Sequence, residues 1–164
     1  MSLHAFEESA RLRRSRRAER TLFDLPTAGG MLPLVRRILE DIAAKHAKLA
    51  HQKLQHRRLS VGLPADWQSR TAHYRLAEVI DLSTQELEAL RGELCSLSVV
   101  LLDPLHGVAG FPTIVNGSLA YLVFRSAEDR VRHWRYRDQP KLRPIPESWH
   151  AQTPLQAEPE GLLV

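Results

Sequence analysis

The chain has 164 residues, 43% of them hydrophobic, with a formal charge of +4 and a single cysteine, Cys95. That is enough chain for one domain with a real core, and the lone thiol excludes an internal disulfide framework and points to a reducing, cytoplasmic setting. No apolar run is long enough to cross a bilayer, and the N-terminus lacks the apolar stretch of a secretory signal.

The charge is unevenly placed. Residues 1–20 carry six arginines against three glutamates, and residues 125–143 carry seven basic against three acidic side chains, which leaves the rest net acidic. Two basic patches on an acidic body suit an anionic partner such as nucleic acid, although arginines on tails and solvent faces are more often only solvated.

Residues 1–20 read as a basic, aromatic-poor arm that is disordered or ordered by a partner. The first long helix is expected from about Met31 to about Leu59. Leu32, Val35, Leu39 and Ile42 step by three and four, and Leu49 follows in phase. Gly29-Gly30 stand before it and Pro33 falls in its first turn. From Lys45 onward the stripe thins into His46, Lys53 and His56. A rod of roughly 40 Å is too long for a small sheet to cover. It needs an antiparallel partner helix, another subunit, or both.

Ser60–Pro64 reads as the turn. A helical pattern then runs from Ala65 to Asp81, and Ser83-Thr84-Gln85-Glu86 has the form of a capping box before Leu87, Leu90, Leu94 and Leu97. One kinked helix or two in series both fit. With the first helix they make a hairpin over 31–97 whose spacing favours coiled-coil packing.

After residue 98 the pattern becomes β. Val99–Leu102 is a short strand stopped by Asp103-Pro104, and Gly107 and Gly110 bracket a loop. Thr113–Val115 and Leu119–Arg125 flank Asn116-Gly117, the strongest short-range hairpin signal. A polar turn, Ser126–Asp129, leads to a third strand at Arg130–Arg137. From Gln139 onward five of the ten prolines appear, so residues 139–164 are expected to be an extended or disordered tail. Trp149 is the residue in it large enough to dock on the body.

Tests for chemistry return little. His46, His51 and His56 are five apart, which leaves successive rings roughly 140° apart on a helix, too divergent to share one ion. Cys95 lies beside the core stripe at Leu94, with no histidine at contact spacing, and reads as an inert buried thiol. There is no GxSxG, HExxH or Gly-rich phosphate loop. The expectation is therefore no enzyme activity, no cofactor and no structural metal. Were a metal present, His106, His133 and Glu128 near the sheet would be the residues to hold it. The best functional candidate is the strand at Arg130–Arg137. Alternation puts Arg130, Arg132, Trp134 and Tyr136 on one face, with Arg135 beside them in the chain. Arginine next to aromatics is one way of holding single-stranded nucleic acid, and Arg13, Arg14, Arg16 and Arg17 of the arm would add phosphate contacts. The plainer reading, which is preferred, packs Trp134 and Tyr136 on the helices.

Three blocks resemble the domain of unknown function 2203 family: residues 20–40 (RTLFDLPTAGGMLPLVRRILE), 101–112 (LLDPLHGVAGFP) and 116–136 (NGSLAYLVFRSAEDRVRHWRY). The resemblance covers roughly residues 20–140. Typical members have Asp before Phe-Pro, then Tyr-Leu-Cys-Trp, Gly-Glu and Tyr-Trp-His-Glu. Here Gly110, Val123, Arg135 and Tyr136 stand at the Asp, Cys, His and final Glu positions, and only Glu128 is retained. The resemblance implies a divergent member lacking whatever polar site that set forms, and it carries no activity with it.

The fold expected is α+β, a single domain over 21–138: a long antiparallel helical hairpin with a small antiparallel β-meander at one end. The leading functional expectation is a non-catalytic protein-interaction or assembly module, dimeric through its helices, with no membrane partner. The alternative is a nucleic-acid binder using the arm and the basic strand.

Overall fold

The computed structural model describes residues 21–61 and 66–151. The basic arm, with Arg13, Arg14, Arg16 and Arg17, lies outside the described residues.

Helix α1 (Leu25–Ser60) begins six residues earlier than the glycine pair suggested. Asp24 is extended and its carboxylate accepts the Thr27 N–H at 2.7 Å, with Pro26 in the first turn. That cap outweighs Gly29 and Gly30, which lie inside the helix on its exposed side. Pro33 also lies inside, where it cannot donate to the Gly29 carbonyl. Helix α2 (Trp67–Ser96) runs without a break. The apparent capping box is mid-helix: Thr84 bonds back to the Ile80 carbonyl at 2.8 Å instead of capping a new helix. Asp66 is the actual cap, accepting from the Ser69 N–H. The helix closes in a Schellman motif, with Ser98 left-handed (φ 61°), its N–H on the Cys95 carbonyl and the Val99 N–H on the Leu94 carbonyl, both at 3.0 Å. The two helices pack as a hairpin. Lys45 Nζ lies 2.5 Å from Glu86 Oε2, and the His56 and His73 rings stack 4.1 Å apart. Lysine contact holds the exposed Glu86 carboxyl below its ordinary pKa.

Five antiparallel strands follow in a meander, ordered β1 (Val100–Asp103), β2 (Val108–Val115), β3 (Ser118–Arg125), β4 (His133–Tyr136) and β5 (Arg143–Pro144). Asn116 (φ 50°) and Gly117 (φ 73°) make the β2–β3 turn. β2 is longer than expected because Gly110 is a strand residue, directly opposite Val123. A Cβ at Gly110 would sit 3.0 Å from Leu102 Cδ1 and from Tyr121 Cβ and Cγ, so the glycine makes room for Tyr121 across the strand. Pro112 follows where β1 pairing has ended, and its carbonyl accepts the Phe23 N–H at 2.7 Å.

Register places Ala109, Phe111, Ala120, Leu122, Phe124 and Trp134 on one face. Ala28, Leu32, Val35, Ile38, Leu39 and Ile42 of α1 join them in the core, and α2 contributes Leu87 and Leu94. Arg36, over the Phe124 ring at 5.6 Å, donates to the Ser126 and Glu128 carbonyls at 3.1 and 2.5 Å and so fastens the β3–β4 turn to α1. Residues 143–151, read from the sequence as tail, add β5 and a 3-10 turn (Glu147–Ala151) to the body. Trp149 is half-buried against the core. No helix among the described residues is long and apolar enough to cross a membrane.

The glycines separate two effects that share one chemistry. Gly110→Ala should lower stability by about 1–3 kcal/mol through overpacking. Gly30→Ala, with nothing within 4 Å of the added Cβ, should raise it by about 0.5–1 kcal/mol. Chemical denaturation of the two variants measures both signs.

Candidate functional site

The candidate residues of the basic aromatic strand are not gathered into a stacking platform on one face. Strand geometry begins only at His133, so the alternation that would align Arg130 and Arg132 with the aromatics is absent. Val131 turns into the core and Arg130 and Arg132 are exposed on either side of it. Arg132 donates from Nε and Nη2 to Asp129 Oδ1 at 3.3 and 2.8 Å. That hydrogen bond holds the Asp129 carboxyl below its ordinary pKa.

Trp134 and Tyr136 face the helices, opposite Leu122 and Ala120. Trp134 is only 7% exposed. Its surroundings are aromatic: Tyr136 lies edge-on at 5.0 Å and Trp149 is tilted against it at 5.4 Å. Arg143 covers both rings of β4, at 5.4 Å from Trp134 and 5.3 Å from Tyr136. The places where bases would stack are filled by this chain's own side chains. Arg135 points to the other face of the sheet, over Tyr121 at 5.6 Å, and donates to the Arg137 and Gln139 carbonyls. The candidate residues are thus divided: Arg130 and Arg132 on the loop before β4, Trp134 and Tyr136 on the inner face and Arg135 on the outer face.

The four substituted positions of the family pattern are instructive. Gly110 and Val123 are paired neighbours, and Arg135 pairs with Tyr121 on the same outer face, whereas Tyr136 is on the inner face. Glu128 Oε1 lies 3.9 Å from His133 Nδ1 beside Val123. A glycine and a valine at the centre of this group offer no ligand atoms. Among the described residues no three His, Cys, Asp or Glu side chains are placed to hold a metal ion together. His106 is instead engaged with Asp103: its Nδ1 lies 2.7 Å from Oδ2, while Oδ1 accepts the Leu105 and His106 N–H groups. The histidine hydrogen bond is the main cause that holds the Asp103 carboxyl below its ordinary pKa.

A feature that sequence reading passed over lies on the hairpin. Ser69, His73, Leu76, Ile80, Ser83 and Leu87, spaced by fours and threes, form a half-buried to buried stripe of α2, and His73 in it stacks on His56 of α1. Away from that set stand Trp67 and Tyr74, 68% and 69% exposed, with Val79 and Leu82 also exposed. Trp67, Gln68, Thr71, Ala72, Arg75, Leu76 and Val79 line an open groove of about 560 Å³. The available signal was two aromatics seven residues apart, out of phase with the inward stripe.

An α+β fold of helical hairpin on antiparallel meander is the architecture these residues define. The model of the uncharacterized conserved protein family DUF2203 matches residues 21–140, and the chain belongs to that family. No curated protein and no solved structure matches it.

Two outcomes test the site. Trp149→Ala removes a half-buried ring from Trp134; it should cost about 1–3 kcal/mol and red-shift the indole emission that Trp134 contributes. In carbon-detected NMR titration, Asp103 should titrate below an ordinary aspartate and return toward it in His106→Ala. Because the folded pKa is depressed, the stability this contact adds is present above the unfolded pKa and is lost as pH falls through the folded one.

Proposed function

We propose that this chain is a non-catalytic assembly module. The sheet anchors a helical hairpin, and the far half of the hairpin presents an apolar helix face to another protein. The observation that carries this reading is the exposure of Trp67 and Tyr74 on a helix whose opposite side is already occupied by α1. Aromatics displayed beside an open groove are characteristic of protein-binding surfaces. The coiled-coil-like spacing of the inward positions keeps the hairpin straight enough to serve as an arm. The lone Cys95 supports a cytoplasmic setting. The nucleic-acid reading has less support, because Trp134 and Tyr136 are covered by Trp149 and Arg143.

The test is a photo-crosslinking amino acid, benzoylphenylalanine, placed at Tyr74, at Leu82 and at exposed Lys141 in cells. A covalent protein adduct is expected from positions 74 and 82 and not from 141. No adduct from 74 or 82, or equal adducts from all three, would rule the surface out.

A further inference from the structure

The exposed face of α2 carries a charge pattern that the hairpin itself does not use. From Trp67 to Ala77 the charged residues are Arg70 and Arg75, with no acid among them. From Glu78 to Glu88 they are Glu78, Asp81, Glu86 and Glu88, with no base among them. Lys45 engages Glu86 and Arg91 engages Glu88. Arg70, Arg75, Glu78 and Asp81 are exposed, and none has a side-chain hydrogen bond or ion pair among the described residues. An acid and a base three residues apart, Arg75 and Glu78, are neighbours on a helix, yet they do not pair here.

The two pairs have nearly the same centre. Arg75 and Glu78 flank Leu76–Ala77, and Arg70 and Asp81 are centred one residue earlier, between Arg75 and Leu76. Arg70 and Asp81 are eleven residues apart, about three full turns, which puts them on one edge of the helix. Rotation by a half-turn about an axis at the level of Leu76 brings each arginine to within one residue of an acidic position, about 1.5 Å along the helix, and sets the basic half of the face against the acidic half. A partner laid parallel would instead set arginine against arginine. Two-fold symmetric contacts present the same patch on both copies, so self-complementarity of this kind is what they require.

Resting on the assembly reading, we propose that the occupant of the Trp67–Leu82 face is a second copy of this chain, with α2 antiparallel to the partner's α2 and crossing it near Leu76. Arg70 then faces the partner's Asp81 and Arg75 faces the partner's Glu78, each pair occurring twice. Trp67 lies over the turn that carries the partner's Leu82, and the groove along Thr71, Ala72 and Val79 receives it. Two antiparallel hairpins joined this way make a four-helix layer with a sheet at each end. The ion pairs set register and orientation, while the aromatics supply most of the buried apolar surface.

The experiment uses the full chain in sedimentation equilibrium at up to roughly 100 μM, where even a weak interface registers. The wild type should sediment at twice its 18.7 kDa mass. Arg70→Glu/Arg75→Glu and Glu78→Arg/Asp81→Arg should each weaken self-association by about a hundredfold or more, since every pair becomes like-charged. An equimolar mixture of the two should recover a heterodimer of wild-type stability, with circular dichroism showing both variants helical. A monomeric wild type, or a mixture that fails to re-associate, overturns the proposal. If the wild type is monomeric while position 74 still gives an adduct of a different mass in cells, the antiparallel dimer fails and the assembly reading stands. If there is no adduct either, both fail.

Discussion

The structure depends on a mismatch of lengths. Helix α1 has 36 residues, about 54 Å of rod, whereas the longest strands have 8 residues, about 27 Å. Only the first half of the helix can lie on the sheet, and its densely apolar stripe ends at Ile42. Beyond it the helix keeps only Leu49 and Gln52 buried, and these need α2. The second helix inherits the complementary problem. It reaches the main core with Leu87 and Leu94, so two-thirds of its length has α1 on one side and solvent on the other. An arm with an unpartnered face is the geometric remainder of that mismatch.

The sheet, by contrast, satisfies itself. Its inner face is covered by α1, its β3–β4 turn is held by Arg36, and the aromatic edge at β4 is closed by Arg143 and Trp149. On the outer face Tyr121 lies in the space that Gly110 leaves, under Arg135. Arg36, Arg135 and Arg143, which have the chemistry to grip an anion or a base, are here engaged with the sheet's own carbonyls and rings. Guanidinium groups stacked on rings and bonded to carbonyls cover apolar surface as well as carrying charge.

Much of this architecture was legible in the sequence, because its determinants are local. Asn116-Gly117 dictates a hairpin whatever surrounds it, and the Leu32–Ile42 stripe dictates a core helix. The misreadings arose where local signals competed. Gly29-Gly30 looked like a boundary, but the carboxylate of Asp24 had already started the helix. Ser83–Glu86 has the residue types of a cap, but a cap needs an extended residue, and the inward spacing from Ile80 to Leu87 keeps that segment helical. Gly110 reads as loop because a glycine required by a neighbouring ring is indistinguishable, one-dimensionally, from a glycine required by a turn. Alternation rightly grouped Trp134 with Tyr136, but it could not be carried back to Arg130 and Arg132, since β4 begins three residues after Arg130. The Trp67–Leu82 face escaped notice for the opposite reason: nothing in sequence alone says which of two apolar phases on a helix its neighbour will choose.

The closing strap of β5 and Trp149 has a practical meaning for anyone cutting the gene. The family match ends at residue 140, yet Arg143 and Pro144 form the last strand of the sheet and Trp149 packs against the core beside it. A fragment trimmed to the matched region would leave β4 as an open edge with an uncovered tryptophan beside it, the kind of edge that recruits strands from other molecules. The boundary drawn by resemblance and the boundary drawn by folding differ here by about ten residues, and the shorter version invites precipitation.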